Sequence, residues 1–327
     1  MLPRTPTPPW TGSPDLTTST AGQRLRANGA LLLASALWGL AFVAQRVGSE
    51  HVGPFTFTGV RFALGCLVLL PLIAIRDRVR RVPAVRRRTA TRAAVIPGIL
   101  TGLLLTVAVN LQQVAMSDTT AGNAAFITGL YMVFVPVIAA FRGHRSSVAT
   151  VLGVASSLVG LYLISVTDDF SIGYGEALLI VSTLFWAMQI LAIEHFSTRL
   201  SALRFAAVQF LTCAVLSSLT ALVLDPAPFT GLGEAAVPLL YGGLVSVGIA
   251  YTLQVVGQRH ALATHAALIM AAESVFGALG GALLLGESMG LLGYLGAALM
   301  VIGMVVSQLG LPAVPLDTLA DASEPLT

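Results

Sequence analysis

The sequence predicts an all-α membrane protein with ten transmembrane helices, arranged as two inverted five-helix repeats. Three observations lead there. Apolar residues make up 56% of the chain and charged residues 10%, with a mean hydropathy of +0.86. An average soluble domain is roughly 25% charged, so lipid must solvate most of this surface. Ten apolar stretches follow one another, each about as long as the ~20 residues needed to cross a bilayer core. Finally, landmark residues recur at a near-constant offset. Trp38 answers to Trp186, Val60-Arg61-Phe62 to Val208-Gln209-Phe210, Pro97 and Gly102 to Pro238 and Gly243, Leu111-Gln112 to Leu253-Gln254, and Gly153 and Gly160 to Gly296 and Gly303. The offset drifts from 148 to 141 and back to 143, which asks only for small changes in loop length. Five is odd, so a helix that enters from one side in the first copy enters from the other in the second.

Taken in order, residues 1–28 are rich in Pro, Thr and Ser, lack the apolar core of a signal peptide, and read as a disordered cytoplasmic tail. The stretches are placed at 29–48, 55–75, 93–115, 121–141 and 148–166 in the first repeat (29–166), then 174–194, 203–224, 236–257, 264–285 and 290–310 in the second (174–310). Residues 311–327 form a polar, acidic tail. All 18 basic residues are Arg. Eight of them, Arg76, Arg78, Arg80, Arg81, Arg86, Arg87, Arg88 and Arg92, join the second and third stretches, and positive charge beside a span stays in the cytoplasm. Arg142, Arg145, Arg199, Arg204 and Arg259 fall on the same side, whereas Asp118, Asp168, Asp169, Asp225, Glu234 and Glu287 fall opposite. The expected setting is a bacterial inner membrane with both termini cytoplasmic; the Arg cluster can also bind anionic lipid.

Small residues mark close helix contacts: Gly153, Ser156, Ser157 and Gly160 in the fifth stretch, Gly293, Gly296, Ala297 and Gly303 in the tenth. Cys66 and Cys213 lie inside apolar stretches and read as small core residues; no Cys or His spacing suits a metal, and no cofactor is implied. Nucleic acid is not an expected partner, since topology explains the one basic run. There is no GxxxxGK[ST] for ATP, and no HExxH or GxSxG to support an intramembrane enzyme.

Several residues together resemble the drug/metabolite transporter superfamily, in its ten-helix EamA-type branch. Leu37-Trp38-Gly39-Leu40-Ala41-Phe42 is similar to the family's WGxxF opening, and Arg61-Phe62-Ala63-Leu64 to its RFxxA/L. Glu273-Ser274-Val275-Phe276 followed by Leu283-Leu284-Leu285-Gly286-Glu287 resembles EPVF and LLLGE, with Ser274 in place of the expected Pro. Gly296 through Gly303 is similar to the family's last helix. The resemblance implies a cavity between the repeats, lined mainly by helices 1–4 and 6–9, and export or exchange of small organic solutes.

Charge within a span costs about 2.5–3.5 kcal/mol at the helix centre. Glu273 lies near the middle of the ninth stretch, as a proton-titrating or amine-binding carboxylate or as a structural hydrogen-bonding group. Arg61 can hold a substrate carboxylate, pair with an acid or snorkel outward; its repeat partner is the neutral Gln209. Asn110, Gln112, Tyr131, Gln189, Tyr251 and Gln254 are candidates for a cavity wall or for interhelical bonds, and Trp38 and Trp186 for stacking on substrate or filling an interface. The expected function is a secondary transporter, an exporter of small metabolites such as amino acids that works by alternating access and can be proton-coupled. Export of cationic drugs, with Glu273 as counter-ion, is the alternative. The expected partners are a small-molecule substrate and membrane lipid.

Overall fold

Hydropathy alone drives the long spans, because a backbone in lipid must satisfy its own hydrogen bonds. The computed structural model describes residues 21–119, 121–141, 146–165, 173–285 and 290–309. Its first half contains α1 (Ala21–Ser49), α2 (Pro54–Val79), α3 (Ala84–Ala115), α4 (Ala121–Gly129), α5 (Tyr131–Phe141) and α6 (Val148–Ser165). The second contains α7 (Tyr174–Ser197), α8 (Ala202–Leu224), α9 (Ala236–Leu240), a π-helical segment (Tyr241–Tyr251), α10 (Thr252–Gly257), α11 (Ala263–Met270), α12 (Glu273–Leu285) and α13 (Leu291–Leu309). Among the described residues eight helical spans are long and apolar enough to cross a membrane; Val148–Leu163 and Leu291–Ser307 are shorter apolar helices that complete the ten. Asp168, Asp169, Arg142, Arg145, Glu287 and the C-terminal tail lie outside the described residues.

Two boundaries move furthest. Helix begins at Ala21, inside the expected tail, and α3 begins at Ala84, so Arg86, Arg87, Arg88 and Arg92 ride on a helical extension instead of a loop. Arginine is a good helix former, and a helix already nucleated in the membrane extends cheaply past it. Pro54 starts α2 where its missing N–H costs nothing.

The fourth and ninth spans are each broken near the middle, and neither break contains proline. Leu130 separates α4 from α5; its N–H bonds to the Ile127 carbonyl at 3.1 Å, and the Thr183 hydroxyl from α7 takes the same carbonyl at 3.0 Å. A side chain inserted into the ladder is a sufficient cause of a break. Ala271 and Ala272 separate α11 from α12, with the bonds again tightened (Ala272 N–H to Ile269 O, 3.2 Å), and the Ser274 hydroxyl donates across to Ala125 O at 2.8 Å. Ala121 and Ala263, which open the first halves, and Tyr131 and Glu273, which open the second halves, stand at the same offset as Gln112 and Gln254.

The third interruption is not repeated. The chain is one residue longer between Gly243 and Leu253 than between the equivalent Gly102 and Leu111. The widened turns of the π-helical segment absorb that residue, whereas α3 stays α-helical.

Inversion follows from how equivalent helices pack. Gly153 of α6 meets Gly303 of α13, and Gly160 meets Gly296, so the pair runs antiparallel. A Cβ on Gly153 would sit 2.5 Å from Gly303 O, and one on Gly160 2.4 Å from Gly296 O, which is why small residues occupy these places. Ser156 and Ser157 add hydroxyl bonds to Leu299 O and Met300 O at 3.1 and 3.3 Å. Likewise Gly102 packs on Thr212 in one half and Gly243 on Leu64 in the other, with the roles exchanged.

Candidate functional site

Between the repeats lies a cavity with about 430 Å³ of empty space, part of it continuous with the outside. Its wall draws on α1, α2, α3, α4, α5, α7, the π-helical segment, α10, α11 and α12, so both repeats build it.

Close approach of α1 to α12 sets the first corner. A Cβ on Gly39 would lie 2.7 Å from Glu273 O and 2.6 Å from Gly277 N. That contact sets Trp38 and Glu273 on the same cavity wall, and the Trp38 indole N–H reaches Ser246 O in the π-helical segment at 3.3 Å. Trp186 of α7 reaches the opposite way, donating to the Gln112 side-chain oxygen of α3 at 3.0 Å. Each tryptophan therefore bonds to the other repeat. Gln112 in turn donates to Gln45 at 3.1 Å, and Gln254 donates to Gln189 at 3.2 Å.

Tyr251, at the end of the π-helical segment, has no aromatic equivalent in the first repeat, where Val109 stands. It is enclosed by two equivalent pairs of rings. Trp38 lies 4.7 Å away edge-on, Trp186 5.9 Å away and stacked, Phe62 at 5.6 Å and Phe210 at 6.0 Å. The box presents apolar faces and ring quadrupoles that suit an apolar group or a cation.

Two charged side chains line the same space. Arg61 is 2% exposed, flanked by the rings of Phe57 and Phe62 at 5.4 and 5.5 Å, and its Nε and Nη2 have no hydrogen-bond partner. Glu273 is 4% exposed, is the first residue of α12, and leaves Oε1 without a partner. A helix N-terminus in mid-bundle favours a carboxylate electrostatically. Tyr131 stands at the equivalent place and lines the same cavity, yet its hydroxyl also lacks a hydrogen bond of ordinary geometry. Among the described residues the ion pairs join Asp77 to Arg204 and Arg87, away from this cavity; neither Arg61 nor Glu273 has one. Other carboxylates of the spans are committed to structure: Glu194 accepts from the Ala263 N–H that opens α11, and Glu176 from Thr119 and the Gly173 N–H.

Of the residues singled out from sequence, Glu273, Arg61, Trp38, Trp186, Gln112, Gln254, Tyr131 and Tyr251 line the cavity. Gln189 stands behind the wall, bonded to Gln254. Asn110 faces α8 instead, donating to Ser217 Oγ at 2.7 Å and to Thr106 O at 2.8 Å, as interhelical glue. Gln45 and Ser246 join the site unannounced. Gln45 had a usable signal, two helical turns from Trp38 on one face; Ser246 contributes a backbone carbonyl, which no sequence pattern marks.

Comparison with known proteins agrees with this architecture. The family profile described as EamA-like transporter family matches residues 25–166 and 173–308. The chain is 27% identical over 289 residues to an "Uncharacterized transporter" of Archaeoglobus fulgidus, covering 88% of this chain and 87% of that protein. It is 22% identical over 223 residues to the "Uncharacterized transporter YoaV" of Bacillus subtilis, covering 66% and 74%. A solved structure titled only "Crystal structure of protein" shares the fold with a TM-score of 0.68 at 21% identity, over 89% of this chain and 98% of that one.

Proposed function

Since the chain belongs to the EamA-like transporter family, we propose that this multi-pass membrane transporter is a secondary exporter of amino acids and related small metabolites, working by alternating access. The observation that carries the reading is a pair of opposite, buried, unpaired charges in one cavity between the repeats, Arg61 and Glu273. Neither charge is demanded by the fold, because the equivalent places hold Gln209 and Tyr131. Each is costly at this depth. A zwitterion offsets both costs at once: its carboxylate meets the guanidinium, a charge-assisted geometry Arg is suited to, and its ammonium meets Glu273. The Trp38, Tyr251 and Trp186 rings then receive the side chain.

Glu273 also supplies a coupling step. A buried carboxylate can be discharged by a proton or by a substrate ammonium. If the two exclude each other, a proton taken up on one side is exchanged for substrate on the other. With the arginine-rich end in the cytoplasm and both termini inside, an inward proton gradient drives solute outward.

The ring box beside a carboxylate also suits a lipophilic cation, which keeps drug export as a second reading. Proteoliposomes under an imposed pH gradient separate the two. Flux of neutral amino acids that is lost in Arg61→Gln supports the zwitterion reading. Flux of cations that survives Arg61→Gln selects the second, and flux of neither class refutes both.

A further inference from the structure

We propose that α2 and α8 are clasped at both ends into a single rigid wall, so that alternation takes place around this pair and never between its members. The inference rests on the alternating-access reading for its meaning, but not for its geometry. At the arginine-rich end, Asp77 of α2 receives Arg204 of α8 at 2.5 Å, and Arg204 also donates to Thr91 of α3 at 3.0 Å. At the opposite end, Asp225, which closes α8, accepts the Thr56 N–H of α2 at 2.7 Å and the Phe55 N–H at 3.5 Å.

These two clasps are one contact made twice. Asp77 and Asp225 stand at the offset that relates Trp38 to Trp186, and so do Thr56 and Arg204. Each Asp ends its own helix and holds the start of the other. Both are buried, at 4% and 6% exposure, so water does not compete freely for their oxygens. The chemistry differs by end: a charged guanidinium in one place, backbone N–H groups at a helix start in the other.

Symmetric contacts at opposite faces of an inverted-repeat protein have two possible uses. As gates, one opens while the other is closed. As fasteners, both stay closed. Here both are closed together, and the interface between them is continuous: Gly59 packs on Ser218, Phe62 meets Phe210 at 6.0 Å, and the Cys66 thiol donates to Ala207 O at 3.6 Å. That favours fasteners. The wall so held carries Arg61 at the cavity and sets Phe62 and Phe210 against Tyr251, so Asp77 and Asp225 act as positioning residues for the cavity.

A covalent clasp tests this. A Cβ on Gly53 would lie 2.4 Å from the Asp225 carboxyl carbon, so Gly53→Cys with Asp225→Cys can form a disulfide in place of the outer fastener. The oxidised form is expected to transport at the rate of the unmodified protein and the reduced form more slowly. An oxidised form that is inactive and recovers on reduction would overturn the proposal, because the pair must then part. Equal rates in both forms would remove Asp225 from the role. A second measurement is independent of transport, and so separates failure of this proposal from failure of the transporter reading. Spin labels at the exposed Leu67 and Leu211, beside the Cys66–Ala207 contact, should give one narrow distance distribution at every pH and substrate condition, broadened by Asp77→Ala. Two distances that exchange with conditions in the unmodified pair would refute it.

Discussion

The two repeats share a backbone but differ in chemistry, and the site arises from the difference. Both carry a broken mid-membrane helix, and both breaks start a new half-helix at an equivalent residue. The first repeat puts Tyr131 there and the second Glu273. On the neighbouring α2 and α8 the asymmetry reverses: the first repeat supplies Arg61, the second Gln209. Arg61 and Tyr131 from the first half and Glu273 from the second line a common cavity, and Gln209 does not reach it. A perfectly symmetric dimer would have doubled every charge, placing two like charges at depth. Sequence divergence of a duplicated fold avoids that and leaves one arginine and one glutamate on the cavity wall.

Removing the glutamate is expected to have the largest effect. Glu273→Gln keeps shape and hydrogen-bonding capacity but cannot titrate, so the variant should fold and insert yet lose pH-driven flux in proteoliposomes. Unchanged flux and pH dependence would return Glu273 to a structural role equal to that of Tyr131. Removing the arginine comes next. Arg61→Gln makes α2 match α8, and losing one partner of a buried charged contact costs about 2–5 kcal/mol. Binding of carboxylate-bearing solutes, followed by quenching of Trp38 and Trp186 fluorescence, should weaken by at least about tenfold. Solutes without a carboxylate should be little affected.

A smaller change tests whether Tyr131 matters for more than its ring. Its hydroxyl has no bond of ordinary geometry, so Tyr131→Phe should leave thermal stability in detergent within about 1 kcal/mol and retain most transport. A loss as severe as that of Glu273→Gln would mean the two residues act as a coupled unit. The smallest effect is expected from Ser274→Pro, which restores the family's Glu-Pro pair. The break is already made at Ala271 and Ala272, and proline is tolerated in a helix's first turn. Loss of the Ser274 hydroxyl bond to Ala125 O and of one N–H bond should cost about 1–2 kcal/mol, with the fold retained.

Much of the architecture could be read from the chain because lipid imposes a simple rule. Each segment must satisfy its own backbone and be apolar over a bilayer's thickness, so the ten spans and the repeat are written in hydropathy and landmark residues. Glu273 and Arg61 stood out for the same reason: charge in a span is rare. The breaks did not stand out. Neither contains proline, and in the fourth span the Thr183 hydroxyl reaches the Ile127 carbonyl from another helix, a contact that local sequence does not announce.

Helix rotation is the other matter that only packing resolves. A helix apolar on every side has no stripe to say which face turns inward. Asn110 and Gln112, two residues apart, are both candidates in the sequence, Gln112 the better for its repeat partner Gln254; in the fold one bonds α8 and the other lines the cavity. The clasps show the same limit from the opposite direction. In the sequence Asp225 serves only to mark a side of the membrane, and Asp77 attracts no reading at all. Their pairing with Arg204 and Thr56 required α2 and α8 to lie antiparallel, a contact between residues more than a hundred positions apart that local sequence cannot express.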